Sequence, residues 1–170
     1  MIINKIQDIL RKYKNVVISG EEGVGKITST LQAVQDMELV YYIGNPVDYL
    51  GKPRPKGYDK YINYIMSLKK DMCVIADEEI LSLTPSVFSG RESVLIIDEL
   101  YGRNHEQQEK IVEILNIENV KVFLITGCLK NIGRIVHGID IVLMLTKDGV
   151  LQFDREFAGQ ICTIFKSETL

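Results

Sequence analysis

Five short apolar runs separated by helical patterns constrain this fold more than any other feature. They are "NVVISG" at residues 15–20, "ELVYYIG" at 38–44, "SVLIIDE" at 93–99, "KVFLITG" at 121–127 and "DIVLMLT" at 140–146. Runs that are apolar almost throughout suit strands covered on both faces. Helical spacing occupies residues 26–37, 58–69 and 105–116, with a shorter segment near 131–137. Ahead of the first run, Ile2, Ile3, Ile6, Ile9, Leu10 and Tyr13 recur three and four apart, which predicts an amphipathic helix over residues 1–14. Strands and helices alternating in this way imply right-handed crossovers and a mostly parallel three-layer α/β/α sheet.

The alternation stops at the tail "GVLQFDREFAGQICTIFK". Residues 150–153 and 160–165 read as two strands without a helix between them, so an antiparallel hairpin is expected at the sheet edge. Residues 44–57, "GNPVDYLGKPRPKG", hold three of the four prolines and read as a loop. With 170 residues, 46% of them hydrophobic, one compact domain is expected, made of the helix 1–14, a core at 15–146 and the hairpin within 147–170.

The first strand runs directly into Gly20-Glu21-Glu22-Gly23-Val24-Gly25-Lys26, a G-x-x-x-x-G-K loop, and a helical pattern follows it. Strand before and helix after are the context that gives this motif its meaning. Its glycines let the backbone wrap with N–H groups inward, the helix N-terminus adds partial positive charge, and Lys26 supplies a mobile ammonium for outer phosphates. Gly20, Glu22, Gly23, Val24, Gly25, Lys26, Ile27 and Thr28 are therefore the expected phosphate-binding set. Ile27 departs from the pattern, because a serine or threonine hydroxyl there would ligate Mg²⁺ and isoleucine has no oxygen. Thr28 lies about 100° further around the helix and is better placed for an inner phosphate. Ile27, Leu31 and Val34 form an apolar stripe at i, i+4 and i+7, which accounts for Ile27 as a packing residue.

A magnesium nucleotide site also needs a carboxylate opposite the loop. "VLIIDE" offers Asp98 for the metal and Glu99 as a base for attacking water. "MCVIADEE" offers a second acidic strand end at Asp77 and Glu78. Asp98 is preferred, since a turn, a helix and another apolar strand follow it, the order required of an interior strand near the loop. Asp77 is expected at the surface, as a strand end or helix start.

Together the loop and the Asp98-Glu99 pair resemble the P-loop NTPases, and in particular their additional-strand catalytic-glutamate division, which includes AAA+ and RecA-like ATPases. The resemblance covers about residues 15–146. It implies a sheet order of 5-1-4-3-2, ATP or ADP with Mg²⁺ as ligands, and Thr126, at the end of "VFLIT", as a polar sensor of the γ-phosphate beside the catalytic Lys26 and Glu99. The N-terminal helix and Thr126 resemble AAA+ proteins, and the final hairpin resembles RecA-like cores. AAA+ proteins usually carry a helical lid after the core, and a lidless core is expected here. Asp98 lacks the glycine of a GTPase motif and "LTKDG" lacks a guanine-reading Asn-Lys-x-Asp, so adenine is favoured by elimination. These features imply a weak or regulated ATPase, with a non-hydrolysing scaffold or switch as the rival and a small-molecule kinase as a third reading.

For a kinase, Arg103 or Arg134 offers charge stabilisation, against the ordinary expectation that each is a solvated surface residue. "YLGK", residues 49–52, resembles loops by which ring ATPases grip a polymer, though a solvated proline-rich loop is the expectation. His105 and His137 have no ligand-spaced partners.

A net charge of −3 and a pI near 5.5 give no global basic footprint, so nucleic acid is not implied by charge, while a local basic patch, a protein partner or a homo-oligomer stays open. Cys73, Cys128 and Cys162 form no CxxC pair, which argues for reduced thiols. No apolar run reaches the roughly 18 residues of a membrane span, and the charged first segment is unlike a secretory leader. A cytoplasmic protein is expected.

Overall fold

A computed structural model describes residues 2–88, 90–157 and 159–160. Seven strands form one sheet: β1 (Asn15–Gly20), β2 (Val40–Ile43), β3 (Cys73–Ile75), β4 (Ser93–Asp98), β5 (Val120–Thr126), β6 (Ile141–Thr146) and β7 (Gly149–Asp154). Their order is β3-β2-β4-β5-β1-β6-β7, parallel except for the β6–β7 pair. Counting the five apolar runs alone, this is the expected order 5-1-4-3-2, with β3 and β7 added at the edges. The chain has the three-layer α/β/α architecture that the apolar runs imply.

Alternate residues on each strand feed two separate cores. Val17, Ile43, Leu95, Ile97, Val122 and Leu124 pack with helix α4 (His105–Leu115) and the 3₁₀ segments Asp77–Ser82, Pro85–Phe88 and Leu129–Gly138. Val16, Ile18, Tyr42, Ile96, Phe123 and Leu143 pack with α1 (Ile2–Lys12), α2 (Lys26–Ala33) and α3 (Tyr58–Leu68). Leu31 and Val34 of the predicted stripe are buried there, and Ile27 is partly buried against them. The α4 start is fixed by a capping box, Asn104 accepting from the Gln107 amide while the Gln107 side chain accepts from the Asn104 amide.

Two expectations are corrected, and a third falls partly outside the described residues. The antiparallel pair that the structure describes is β6 with β7, the latter covering the expected residues 150–153. Thr146 Oγ1 accepts the amides of Asp148 and Gly149, so the strand reverses at once through a tight turn. Residues 161–165, like Cys162, fall outside the described residues. The α2 helix ends at Ala33, not at 37. Residues 129–138 form 3₁₀ turns broken at Gly133, whose φ of 54° and ψ of −131° interrupt the helix.

No helix among the described residues is long and apolar enough to cross a membrane. The strand register matters most for the site. Asp98 lies beside Ile125 and Thr126 beside Ser19, so the carboxyl ends of β4, β5 and β1 finish side by side.

Candidate nucleotide site

Gly20 ends β1 with φ 150°, and a Cβ there would lie 2.5 Å from the Leu145 carbonyl oxygen on β6. Only glycine lets the chain leave the sheet so close to its neighbour. The loop then turns through left-handed Gly23 and Gly25, at φ 81° and 84°. Gly25 is the N-cap of α2, and no side chain caps that helix. Its first-turn amides thus keep their capacity to bind an anion.

Lys26 Nζ folds back on the loop, donating to the carbonyls of Gly20 at 2.8 Å and Glu21 at 2.9 Å. Burial lowers its pKa from the ordinary lysine value despite the opposing fields of Glu99, Asp98 and Glu22. Lys26 lines the cavity beside Gly23 and Gly25, where its ammonium can meet a phosphate.

A cavity of about 310 Å³ opens over the loop. Of the predicted residues, Glu22, Gly23, Gly25, Lys26, Ile27, Thr28, Asp98 and Glu99 line it. Gly20 and Val24 shape the loop from outside the lining. Thr126 is fully buried behind Glu99, and Gly127 occupies the cavity wall at that level.

Asp98 and Glu99 are both buried, and their carboxylates are engaged differently. Asp98 Oδ2 accepts from the Tyr42 hydroxyl at 2.5 Å and from Tyr61, and Arg54 Nη2 stands 3.6 Å away. Glu99 has a left-handed φ of 59°, unusual for a side chain with a Cβ. Its Oε1 accepts from Thr126, Asn131 and the amides of Leu100 and Tyr101, and its Oε2 from the Gly127 amide. Five donors meet a group with about four lone-pair positions. In this conformation Glu99 ties β4 to β5 through a crowded Oε1, while Oε2 accepts the Gly127 amide alone and keeps a position for one more donor.

The residues that the sequence did not reveal come from the proline-rich loop and α3. Arg54 was expected in a solvated loop. Instead its guanidinium lies 4.2 Å over the Tyr61 ring, and its Nε donates to the Asn45 carbonyl at 3.0 Å. Burial opposes the charge, but Asp98, the tyrosines 61 and 42, and Glu99 outweigh it, and the net pKa shift is upward. Asp48 and Tyr49 wall the cavity beside it, so Tyr49 of "YLGK" belongs to the cover of this site. Asp48 organises the loop by accepting the amides of Leu50 and Lys52, each at 2.9 Å.

The arginines singled out from the sequence lie elsewhere. Arg103 is buried, not solvated, and pairs with Asp77, which opens the 3₁₀ segment Asp77–Ser82 as a partly exposed helix start. Arg134 is exposed and pairs with Glu109. Neither lines the cavity.

Open glycine backbone, an uncapped helix start, Lys26 and Arg54 fit the phosphates of a nucleotide. They do not fit Mg²⁺ held by direct protein ligands. Ile27 offers no oxygen, Asp98 Oδ2 is taken by two phenols, and the described residues contain no cluster of three His, Cys, Asp or Glu placed to hold a metal.

The sheet order, the loop between β1 and α2, and β5 lying between the loop strand and the acidic strand decide the fold. It is the P-loop NTPase fold. No family model matches the chain, and no curated protein matches it in sequence. Solved structures similar to it include an ATPase from the type III secretion system of pathogenic bacteria, at TM-score 0.49 and 10% identity over 84% of this chain. The flagellar accessory protein FlaH from Methanocaldococcus jannaschii matches at TM-score 0.42 and 14% identity, covering 77% of this chain and 70% of FlaH. A metal-chelate type ABC transporter matches at TM-score 0.44 and 15% identity, covering 84% of this chain and 72% of its own. This chain spans 58% of the length of the secretion ATPase.

Proposed function

We propose that this P-loop protein binds ATP or ADP over residues 23–28, and that its turnover of ATP is weak. One observation carries the reading: the G-x-x-x-x-G-K loop and the Asp98-Glu99 strand end face one cavity, with Lys26 on one wall and both carboxylates on another. The strand β5 between them supports the additional-strand division, in the AAA+ or RecA-like range. Adenine is favoured over guanine because the sequence lacks the guanine-reading motif.

A second reading, a scaffold or switch that holds nucleotide without turnover, is favoured by the five donors on Glu99. Turning the carboxylate toward an attacking water requires bonds on its Oε1 to be released, which makes regulation by a partner or a second copy of the chain a natural route to activity.

Calorimetric titration of wild type and Lys26→Ala with ATP, ADP and GTP tests the site. Wild type should bind the adenine nucleotides, and Lys26→Ala should lose about tenfold or more, the worth of a charge-assisted contact. Wild type that binds no nucleotide overturns the proposal. Phosphate release by wild type, compared with Glu99→Gln, separates a slow enzyme from a scaffold.

A further inference from the structure

Arg54 is the most heavily constrained charged group in the cavity that the P-loop pattern does not require. Its side chain is 13% exposed, and Nη2 is buried with no hydrogen bond among the described residues. The guanidinium plane is held on one face by the Tyr61 ring and anchored through Nε to the Asn45 carbonyl. Nη2 stands 3.6 Å from Asp98 Oδ2, and the residue lines the same cavity as Lys26. A largely buried guanidinium that pairs with a carboxylate and also lines an anion cradle has further N–H donors with which to meet a second anion.

Asp98 is equally constrained. Its Oδ2 is bonded by Tyr42 and Tyr61, and neither phenol gives up its proton readily, since burial and the Asp98 charge both raise its pKa. Beside it, Ile27 fills the position of the missing hydroxyl ligand with apolar surface.

We infer that Arg54 is the resident cation of this site: its guanidinium bridges Asp98 and the terminal phosphates of the bound nucleotide, where other phosphate sites place a divalent ion, so nucleotide binds without Mg²⁺. This rests on the nucleotide reading of the loop. The chemistry suits the role, because a guanidinium has five N–H donors in a planar fork and can serve a carboxylate and a phosphate together. One positive charge replaces two, so binding is retained while the polarisation that drives hydrolysis is reduced, in line with weak turnover.

The test is ATP affinity in excess EDTA and in excess Mg²⁺, for wild type, Arg54→Ala and Arg54→Lys, with a thermal melt of each protein. Wild type should bind ATP with similar affinity in both buffers. Arg54→Ala should lose about tenfold or more in EDTA and recover part of that loss in Mg²⁺, and Arg54→Lys should fall between them. Wild type that binds only with Mg²⁺ overturns the inference and leaves the loop as a nucleotide site. Wild type that binds in neither buffer overturns both. The wild-type comparison requires no variant to fold, and an Arg54→Ala protein that binds like wild type in EDTA also refutes the role of Arg54.

Discussion

Thr126 donates its hydroxyl to Glu99 Oε1 at 2.9 Å, joining the ends of β5 and β4 beneath the candidate nucleotide site. The bond places two residues expected to act on the γ-phosphate in contact with each other. Glu99 also accepts the Gly127 amide at 3.0 Å, so its carboxylate is a structural tie in this conformation.

Glu99→Gln should therefore destabilise the fold as well as alter chemistry. An amide NH₂ replaces one acceptor oxygen and meets buried donors, at a cost of about 1–3 kcal/mol. For a domain of this size that lowers the melting temperature by about 2–4 °C per kcal/mol. Thr126→Val removes a single donor and should cost less. Thermal denaturation of both variants checks this, and a Glu99→Gln melt equal to wild type would show that the bonds carry no stability.

Ile27→Thr returns an oxygen to the metal position of the pattern. Phosphate release at limiting Mg²⁺ should rise modestly in the single variant, because Asp98 remains bonded to Tyr42 and Tyr61. It should rise further with Arg54→Ala added. Ile27 is partly buried, so about 1 kcal/mol of stability is lost with the apolar surface. A Mg²⁺ titration of the rate that superimposes on wild type would mean that Ile27 is not what limits the metal.

Gly127 is where the cover meets the sheet. A Cβ there would lie 2.6 Å from Tyr49 Cγ, so Gly127→Ala must push Tyr49 and its loop outward. Overpacking of this kind costs about 1–3 kcal/mol if nothing yields, and less if the loop swings away. Chymotrypsin should then cut faster at Tyr49 and at Leu50, which is already 53% exposed. An unchanged digestion pattern would show that Tyr49 does not depend on this contact.

The sheet was legible because its strands are buried on both faces and leave apolar runs that only an interior position explains. The loop was legible because Gly20, Gly23, Gly25 and Lys26 stand at fixed offsets between a strand and a helix. Cys73–Ile75 was harder to read, since a three-residue edge strand leaves little pattern and its acidic end resembles that of β4. Arg54 left no local signal. Its position depends on Asn45, Tyr61 and Asp98, which are 9, 7 and 44 residues away and meet it only when β2, α3 and β4 are assembled. Arg103 was misjudged for the same reason, since its partner Asp77 lies 26 residues earlier in the chain.

Alkaline pH should expose the two phenols on Asp98. Burial, followed by the Asp98 carboxylate, raises the pKa of Tyr42 and Tyr61 above the ordinary tyrosine value. Below about pH 10 both are protonated in the folded and the unfolded chain, so the stability they contribute is fully present there. Above about pH 10 the unfolded chain releases protons that the folded chain retains, and stability falls as pH rises toward the folded values. Absorbance at 295 nm should show two of the eight tyrosines ionising only when the protein unfolds. Tyr42→Phe should start from lower stability at pH 8, having lost a donor to Asp98, and then fall less steeply above about pH 10. If all eight tyrosines ionise together near pH 10 while circular dichroism still reports folded protein, the phenols are not held as the geometry requires.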